Sequence, residues 1–118
     1  MALTVYGIPT CGTVKKAKSW LDGKKIPYTS VDLRATPPGR SQIQGWVEAV
    51  GNRALRNTSG GSYRALGPEK ESWTDAEWVE AFSRDPMLIK RPVIERAGHL
   101  LLVGFANSEA ELTKILTE

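Results

Sequence analysis

The stretch LTVYGIPTCGTVKKA, residues 3–17, decides the fold and holds the single cysteine of the chain. Its apolar start, Leu3 to Tyr6, is typical of a buried strand, and Gly7 to Thr10 interrupts it. The following apolar residues recur at helical spacing with lysines on the other face, which predicts a helix from about Gly12 to Lys24. Cys11 is therefore predicted to lie between a buried strand and a helix.

The rest of the chain completes an α/β pattern around this stretch. Ile26 to Asp32 is predicted to be a second strand, and because strand, helix and strand follow each other closely, the two strands should be parallel. The other predicted elements are a helix at 41–50, a polar Gly-rich loop at 57–62, a helix that opens within 72–75 and ends at Asp85, a hairpin of strands 93–96 and 100–103, and a last helix after Ser108.

Side chains that could cap the helices are also visible in the sequence. Thr10 is a plausible N-cap of the first helix, since its hydroxyl could accept from a free N–H of the first turn. The candidates for the later helices are Thr74 or Asp75, and Asn107 or Ser108. These positions fix where each helix is expected to begin.

Length and composition indicate one globular domain. The chain has 118 residues, of which 41% are hydrophobic and 25% charged, as in ordinary domains that bury their own core. The element order is βαβ, a helical middle, then ββα, with the first and last parts sharing one sheet. We therefore predict one thioredoxin-like α/β domain over residues 1–118, with a helical insertion at about 41–86 that covers one side.

Charge and cysteine content exclude several function classes. A net charge of +3 with dispersed lysines and arginines does not favour nucleic acid as a partner. One cysteine cannot form an internal disulfide or a Cys-rich zinc site, so no metal is expected. No run approaches the roughly 20 apolar residues that span a bilayer. The expectation is a soluble, cytoplasmic protein without a membrane partner, in a compartment where the thiol stays reduced.

Cys11 is the strongest candidate for chemistry. The first N–H groups of a helix are unpaired and, with the helix dipole, favour an anion such as a thiolate. The thiol pKa should therefore fall below its ordinary value of about 8.5. The N–H groups of Gly12 and Thr13 would stabilise developing charge, and Lys15 would add favourable charge. The alternative is that Cys11 is a buried small hydrophobe, as lone cysteines often are.

Two further segments carry candidate residues. Arg91 precedes Pro92 at the start of the predicted hairpin, and its planar guanidinium suits a carboxylate or an oxyanion. An arginine before a strand is otherwise most often only exposed. Asn57 lies in a polar loop that would line the site if it folds over Cys11 and would otherwise be solvated.

Four segments, in order, resemble motifs of the arsenate-reductase-like ArsC/Spx family, and most closely its YffB-type branch. They are YGIPTCGTVKKA (6–17), RALRNT (53–58), IKRPV (89–93) and GF (104–105). The resemblance implies a thioredoxin-like fold with a helical insertion. It also implies that Pro92 is a cis proline facing Cys11, that Cys11 is the nucleophile, and that Arg91 binds an oxyanion or a glutathione carboxylate.

The resemblance further implies an enzyme, a thiol-dependent oxidoreductase working with glutathione or glutaredoxin. No bound cofactor is expected, and glutathione would be the co-substrate. Because the chain has no second cysteine, an external thiol must resolve any mixed disulfide on Cys11. The expected catalytic residues are Cys11 and Arg91, and the expected substrate- or glutathione-binding residues are Thr10, Gly12, Thr13, Lys15, Asn57, Arg91 and Pro92.

Two alternatives follow from the same family. Its glutaredoxin-linked arsenate reductases use three arginines, of which only Arg91 matches here. Asn57 and Gly104 stand at the other two positions, with Arg56 adjacent to the first. Spx-type regulators bind RNA polymerase and carry a Cys-x-x-Cys switch, whose second cysteine is Val14 in this chain. Arsenate reduction and non-enzymatic regulation therefore remain alternatives to a monothiol reductase.

Overall fold

The computed structural model describes residues 2–117. The strands are β1 (Leu3–Gly7), β2 (Tyr28–Asp32), β3 (Val93–Arg96) and β4 (His99–Val103), and the helices are α1 (Gly12–Gly23), α2 (Arg40–Val50), α3 (Gly61–Arg64), α4 (Asp75–Arg84) and α5 (Glu109–Thr117), with 3-10 turns at Pro68–Ser72 and Pro86–Leu88. Within residues 2–117, no helix combines the length and apolarity that crossing a bilayer requires.

One four-stranded sheet contains strands from both parts of the chain, in the order β2-β1-β3-β4. β1 runs parallel to β2, with Val5 opposite Ser30, as the βαβ pattern predicts. β1 pairs antiparallel with β3, where Val5 lies opposite Ile94, and β3 and β4 form the predicted antiparallel hairpin. β1 is therefore a central strand, and it carries its carboxyl end directly into the segment that holds Cys11.

The described residues divide into two compact units. The first contains the chain up to Asp32 together with the chain from Arg91 onward, and so includes the whole sheet, α1 and α5. Its core is mainly aliphatic. Alternate residues of β1 and residues four apart in α1 point to the same side, which brings their apolar side chains together. The buried members are Leu3, Val5, Ala17, Leu21, Ile94, Leu102, Phe105, Leu112 and Leu116.

The second unit, Leu33–Lys90, is helical and has an aromatic centre. Trp78 of α4 is fully buried. It stacks on Tyr63, meets Trp73 edge-on and packs against Phe82. The guanidinium of Arg56 lies 4.1 Å from the centre of the Trp78 ring. The helical middle of the predicted fold is thus present, and the unit that contains it spans Leu33–Lys90.

Two element boundaries differ from the sequence-based prediction. The second strand begins at Tyr28 rather than Ile26, because the Ile26 N–H still donates to the Leu21 carbonyl of α1 at 3.0 Å. Lys25 has a φ of 58°, which turns the chain out of the helix. The predicted loop at 57–62 instead runs into α3, a helix of four residues. So short a helix has no amphipathic repeat by which a sequence pattern could reveal it.

The helix caps confirm two predictions and correct one. Thr74 caps α4 in a capping box with Glu77. Ser108 precedes α5 and exchanges hydrogen bonds with Glu111 in the same way. The prediction of Thr10 as the N-cap of α1 is wrong, because the N-cap is Cys11 itself.

Candidate functional site

Cys11 is held at the start of α1 by backbone hydrogen bonds on both sides. Its N–H donates to the Ile8 carbonyl at 3.2 Å, which closes the turn that follows β1. Its carbonyl accepts the Lys15 N–H at 3.1 Å, the first bond of the helix. The extended backbone of Cys11, with φ −80° and ψ 121°, is typical of an N-cap residue. The half-buried sulfur therefore lies at the end of α1 where N–H groups are unpaired.

The electrostatic surroundings of the sulfur favour the thiolate. Partial burial raises the pKa of the Cys11 thiol, but the Val14 N–H, the Thr13 N–H and the Arg91 guanidinium together lower the pKa below its ordinary value. No side-chain hydrogen bond of ordinary geometry closes this cap. The pKa direction agrees with the prediction made from the strand–helix junction.

The donors differ by one position from those predicted. An N-cap side chain faces the N–H groups of the second and third helical residues. With Cys11 as N-cap, those residues are Thr13 and Val14, rather than Gly12 and Thr13. The Val14 N–H was therefore missed, and placing the cap one residue later would have identified it from the sequence. Lys15 is exposed and is not among the groups that lower the pKa of Cys11.

Strand pairing brings Arg91 to Cys11 across 80 positions of sequence. β3 pairs antiparallel with β1, with Val93 opposite Tyr6, so the residues before β3 share a sheet edge with the residues after β1. The Arg91–Pro92 peptide bond is cis, as the resemblance implies. The Pro92 carbonyl accepts the Gly104 N–H at 2.8 Å, which ties this segment to the residue after β4.

Asn57 and Arg56 belong to the second unit and are engaged there. The Asn57 N–H donates to the Leu88 carbonyl at 2.8 Å, and its amide nitrogen contacts the Met87 carbonyl at 3.3 Å. Arg56 stacks on Trp78 and donates to the side chain of Asn52. Through these contacts both side chains take part in the packing of the second unit. The predicted binding role of Asn57 stays a prediction.

The remaining predicted binding residues line the exposed side of the cap. Thr10, Gly12 and Thr13 are exposed, and nothing lies within 4 Å of where a Cβ on Gly12 would stand. Around Cys11 the structure thus offers amide and guanidinium donors and open space. In the stretch 2–117, no three or more His, Cys, Asp or Glu side chains are grouped to bind a metal. The arrangement suits an anionic sulfur and an anion next to it.

Comparison with known proteins yields one family and several relatives. A profile of the ArsC family matches residues 6–113. The uncharacterized protein YusI of Bacillus subtilis (strain 168) is 35% identical over 94% of this chain and 97% of YusI. An arsenate reductase of Rhizobium meliloti (strain 1021) is 30% identical over 80% of this chain and 69% of that protein. The global transcriptional regulator Spx of Streptococcus pneumoniae (strain R6) is 26% identical over 91% of this chain and 81% of Spx.

Solved structures show the same likeness. The structure of the YffB protein matches with a TM-score of 0.87 and 33% identity, covering 98% of this chain and 99% of that one. Both units of the chain, with nearly all their residues, are therefore represented in that structure.

Proposed function

Because this chain belongs to the ArsC family, we propose that it is a monothiol reductase that uses Cys11 with glutathione or glutaredoxin. The observation that carries the proposal is the position of Cys11 at the N-cap of α1, where the Val14 and Thr13 amides and Arg91 outweigh burial and lower the thiol pKa. A thiolate is the nucleophilic form of cysteine. Membership of the family favours thiol chemistry, and the surroundings of Cys11 favour the thiolate that this chemistry needs.

The proposed reaction is two thiol–disulfide exchanges. The Cys11 thiolate attacks one sulfur of a disulfide substrate, the S–S bond breaks, and the other sulfur leaves as a thiolate that takes a proton from solvent. A mixed disulfide now joins Cys11 to the first sulfur. An external thiolate, from glutathione or glutaredoxin, attacks that bond and releases Cys11 as a thiolate. The external step is required since the chain contains one cysteine.

Within this scheme the neighbouring residues bind and orient. Arg91 favours the thiolate before attack and is suited to hold a carboxylate of glutathione or an oxyanion through its planar fork. The Thr13 and Val14 amides stabilise the sulfur anion each time it is released. The backbone of Pro92 is proposed to pair with the peptide part of glutathione, as the family pattern implies.

The test is a pH titration of Cys11 combined with adduct formation. The thiolate absorbance is followed against pH, and the protein is then treated with oxidised glutathione and weighed by intact mass spectrometry. We expect a pKa below the ordinary value of about 8.5, one glutathione per chain, and removal of the adduct by reduced glutaredoxin.

The control is Cys11→Ser, which should form no adduct. An ordinary pKa with slow, unselective labelling of the intact protein would overturn the proposal. So would a glutathione adduct that neither glutathione nor glutaredoxin removes, because turnover would then be blocked.

Arsenate reduction by the same thiolate is a second candidate, since an arsenate reductase is 30% identical to this chain. Two structural features weigh against it. Gly104 has a φ of 78°, in the left-handed region that disfavours an arginine side chain at that position. Arg56 is engaged with Trp78. We therefore expect arsenite release in a coupled glutaredoxin assay to be slower than disulfide exchange on a glutathione mixed disulfide.

A regulatory role like that of Spx is a third candidate, on the strength of 26% identity to that regulator. Val14 stands where the second cysteine of an Spx switch would be, and it is buried, with 1% of its surface exposed. A disulfide switch within the chain is thus excluded by composition. Binding of the purified protein to RNA polymerase, together with an ordinary Cys11 pKa, would favour regulation over catalysis.

A further inference from the structure

Gly7, the last residue of β1, lies against the side chain of Val14 in α1. A Cβ atom on Gly7 would stand 2.5 Å from Cγ2 and 2.8 Å from Cγ1 of Val14, closer than carbon atoms can pack. The φ of Gly7 is outside the left-handed region, so its backbone would accept any residue. Space, rather than backbone conformation, therefore requires glycine here.

Val14 has little freedom to move away from a larger neighbour. It is β-branched, and such side chains have one strongly preferred χ1 rotamer in a helix. It is also 1% exposed, so other buried groups surround it. Both methyl carbons already face Gly7. A methyl group added at position 7 must therefore displace the backbone of the first turn of α1.

The backbone of Val14 matters to the thiol. The Val14 N–H is one of the groups that oppose burial and favour the Cys11 thiolate, together with the Thr13 N–H and Arg91. Between Gly7 and Cys11 the chain makes only a tight turn, closed by the bond from the Cys11 N–H to the Ile8 carbonyl. Gly7 is thus linked to Cys11 in two ways. One is the short turn between them, and the other is the contact of Gly7 with Val14, whose N–H favours the thiolate.

We propose that Gly7 is a positioning residue for the thiol: its missing side chain lets Val14 seat against β1, and this holds the Val14 N–H at the Cys11 sulfur. The inference deepens the proposed function and rests on it for the role of Cys11. It assigns Gly7 a role in reactivity, in addition to any role in packing.

The test is a pair of variants that close and then reopen the space. Gly7→Ala should push α1 away and raise the pKa of Cys11, so that the thiolate fraction at a fixed pH below the pKa falls about tenfold. Val14→Ala keeps the N–H but removes the methyl carbons that meet position 7, so its titration is the reference for the double variant. The double variant Gly7→Ala with Val14→Ala should restore the thiolate fraction to the Val14→Ala level.

Gly23→Ala is the matched control. Gly23 ends α1, nothing lies within 4 Å of where its Cβ would stand, and its substitution should not change the titration. If Gly7→Ala does not fold, Val14→Ile narrows the same contact from the helix side and should change the pKa in the same direction.

Three outcomes separate the two proposals. An unchanged pKa in folded Gly7→Ala, or a double variant that titrates like Gly7→Ala alone, would overturn the role of Gly7 while the proposed function stands. An ordinary Cys11 pKa in the unmodified protein would overturn both.

Discussion

Helices α1 and α4 begin with opposite chemistry. α4 opens with a closed capping box, in which the Thr74 hydroxyl accepts the Glu77 N–H at 3.2 Å and the Glu77 carboxylate accepts the Thr74 N–H at 3.0 Å. α1 opens on Cys11, with no acidic residue in its first turn and no ordinary side-chain cap. The positive end of α4 is neutralised within the helix, whereas that of α1 is available to the thiolate.

Two other helix starts sharpen this comparison. Ser108 and Glu111 close α5 as Thr74 and Glu77 close α4. Hydrogen bonds from the Ser108 N–H and, to a lesser extent, from its hydroxyl lower the pKa of Glu111. The N-cap of α2 is Gly39, which makes no side-chain cap, and the first turn of α2 contains no acidic residue. An open helix start is thus not sufficient for a reactive site. α1 differs because a sulfur occupies the cap and Arg91 lies beside it.

The largest expected effect comes from making α1 resemble α4 at its cap. Cys11→Ser removes the nucleophile, so disulfide exchange should fall to the uncatalysed background. Serine is a good N-cap residue, so the free energy of unfolding should stay the same or rise by about 1 kcal/mol. Exchange assays and urea unfolding measure the two quantities. Loss of activity through a large loss of stability would contradict this prediction.

Removing the charge beside the cap should have the next largest effect. Arg91→Ala takes away a guanidinium that favours the thiolate, so the pKa of Cys11 should rise and the midpoint of the pH–rate profile should move up by about one pH unit. Exchange at pH 6 would then slow about tenfold. Arg91→Lys is the matched control, and its positive charge should keep part of the lowering of the Cys11 pKa. An unchanged profile in Arg91→Ala would show that the amides alone set the pKa.

Adding an acid to the first turn of α1 copies another feature of α4. Thr13→Glu keeps the Thr13 N–H but places a carboxylate near the sulfur, so the Cys11 pKa should rise and exchange should slow a fewfold. The same carboxylate should stabilise the helix by about 0.3–1 kcal/mol. Thr13→Gln controls for size and should change neither quantity much. The prediction is supported if Thr13→Glu raises the free energy of unfolding and slows disulfide exchange.

Opening the cap of α4 should have the smallest effect on the thiol. Thr74→Ala removes the hydroxyl that accepts the Glu77 N–H, at a cost of about 0.5–2 kcal/mol in the free energy of unfolding. The Cys11 pKa should not change. Thr74→Ser keeps the cap and should restore stability. A shifted Cys11 titration in Thr74→Ala would mean that the two helix starts are coupled.

Much of the fold was predictable because its periodic elements are long enough to show a pattern. The parallel pair β1 and β2, the 93–103 hairpin and helices α1, α2 and α4 all follow from apolar spacing. The structural match to YffB confirms the predicted thioredoxin-like fold. α3 was missed since four residues cannot show a helical repeat. The cap of α1 was misplaced because Thr10 is a better capping residue than cysteine on propensity alone.

The candidate site was only partly predictable. Local sequence placed Cys11 at a helix start and gave the direction of its pKa. It could not bring Arg91 to Cys11, because that proximity depends on β3 pairing with β1, and the family resemblance supplied the expectation instead. Nor could it show that Gly7 is in contact with Val14, since such an approach of strand and helix is visible only in three dimensions.

The first unit is built from two parts of the chain that lie far apart in sequence, and this has a consequence for synthesis on the ribosome. β1, Cys11 and the first turn of α1 emerge early, but Arg91 and the strand that pairs with β1 follow only 80 positions later. At about 5–20 residues per second, that interval lasts roughly 4–16 s. Throughout that interval the nascent chain carries the cysteine without its arginine, so the surroundings that lower the thiol pKa are complete only as translation nears the last strands.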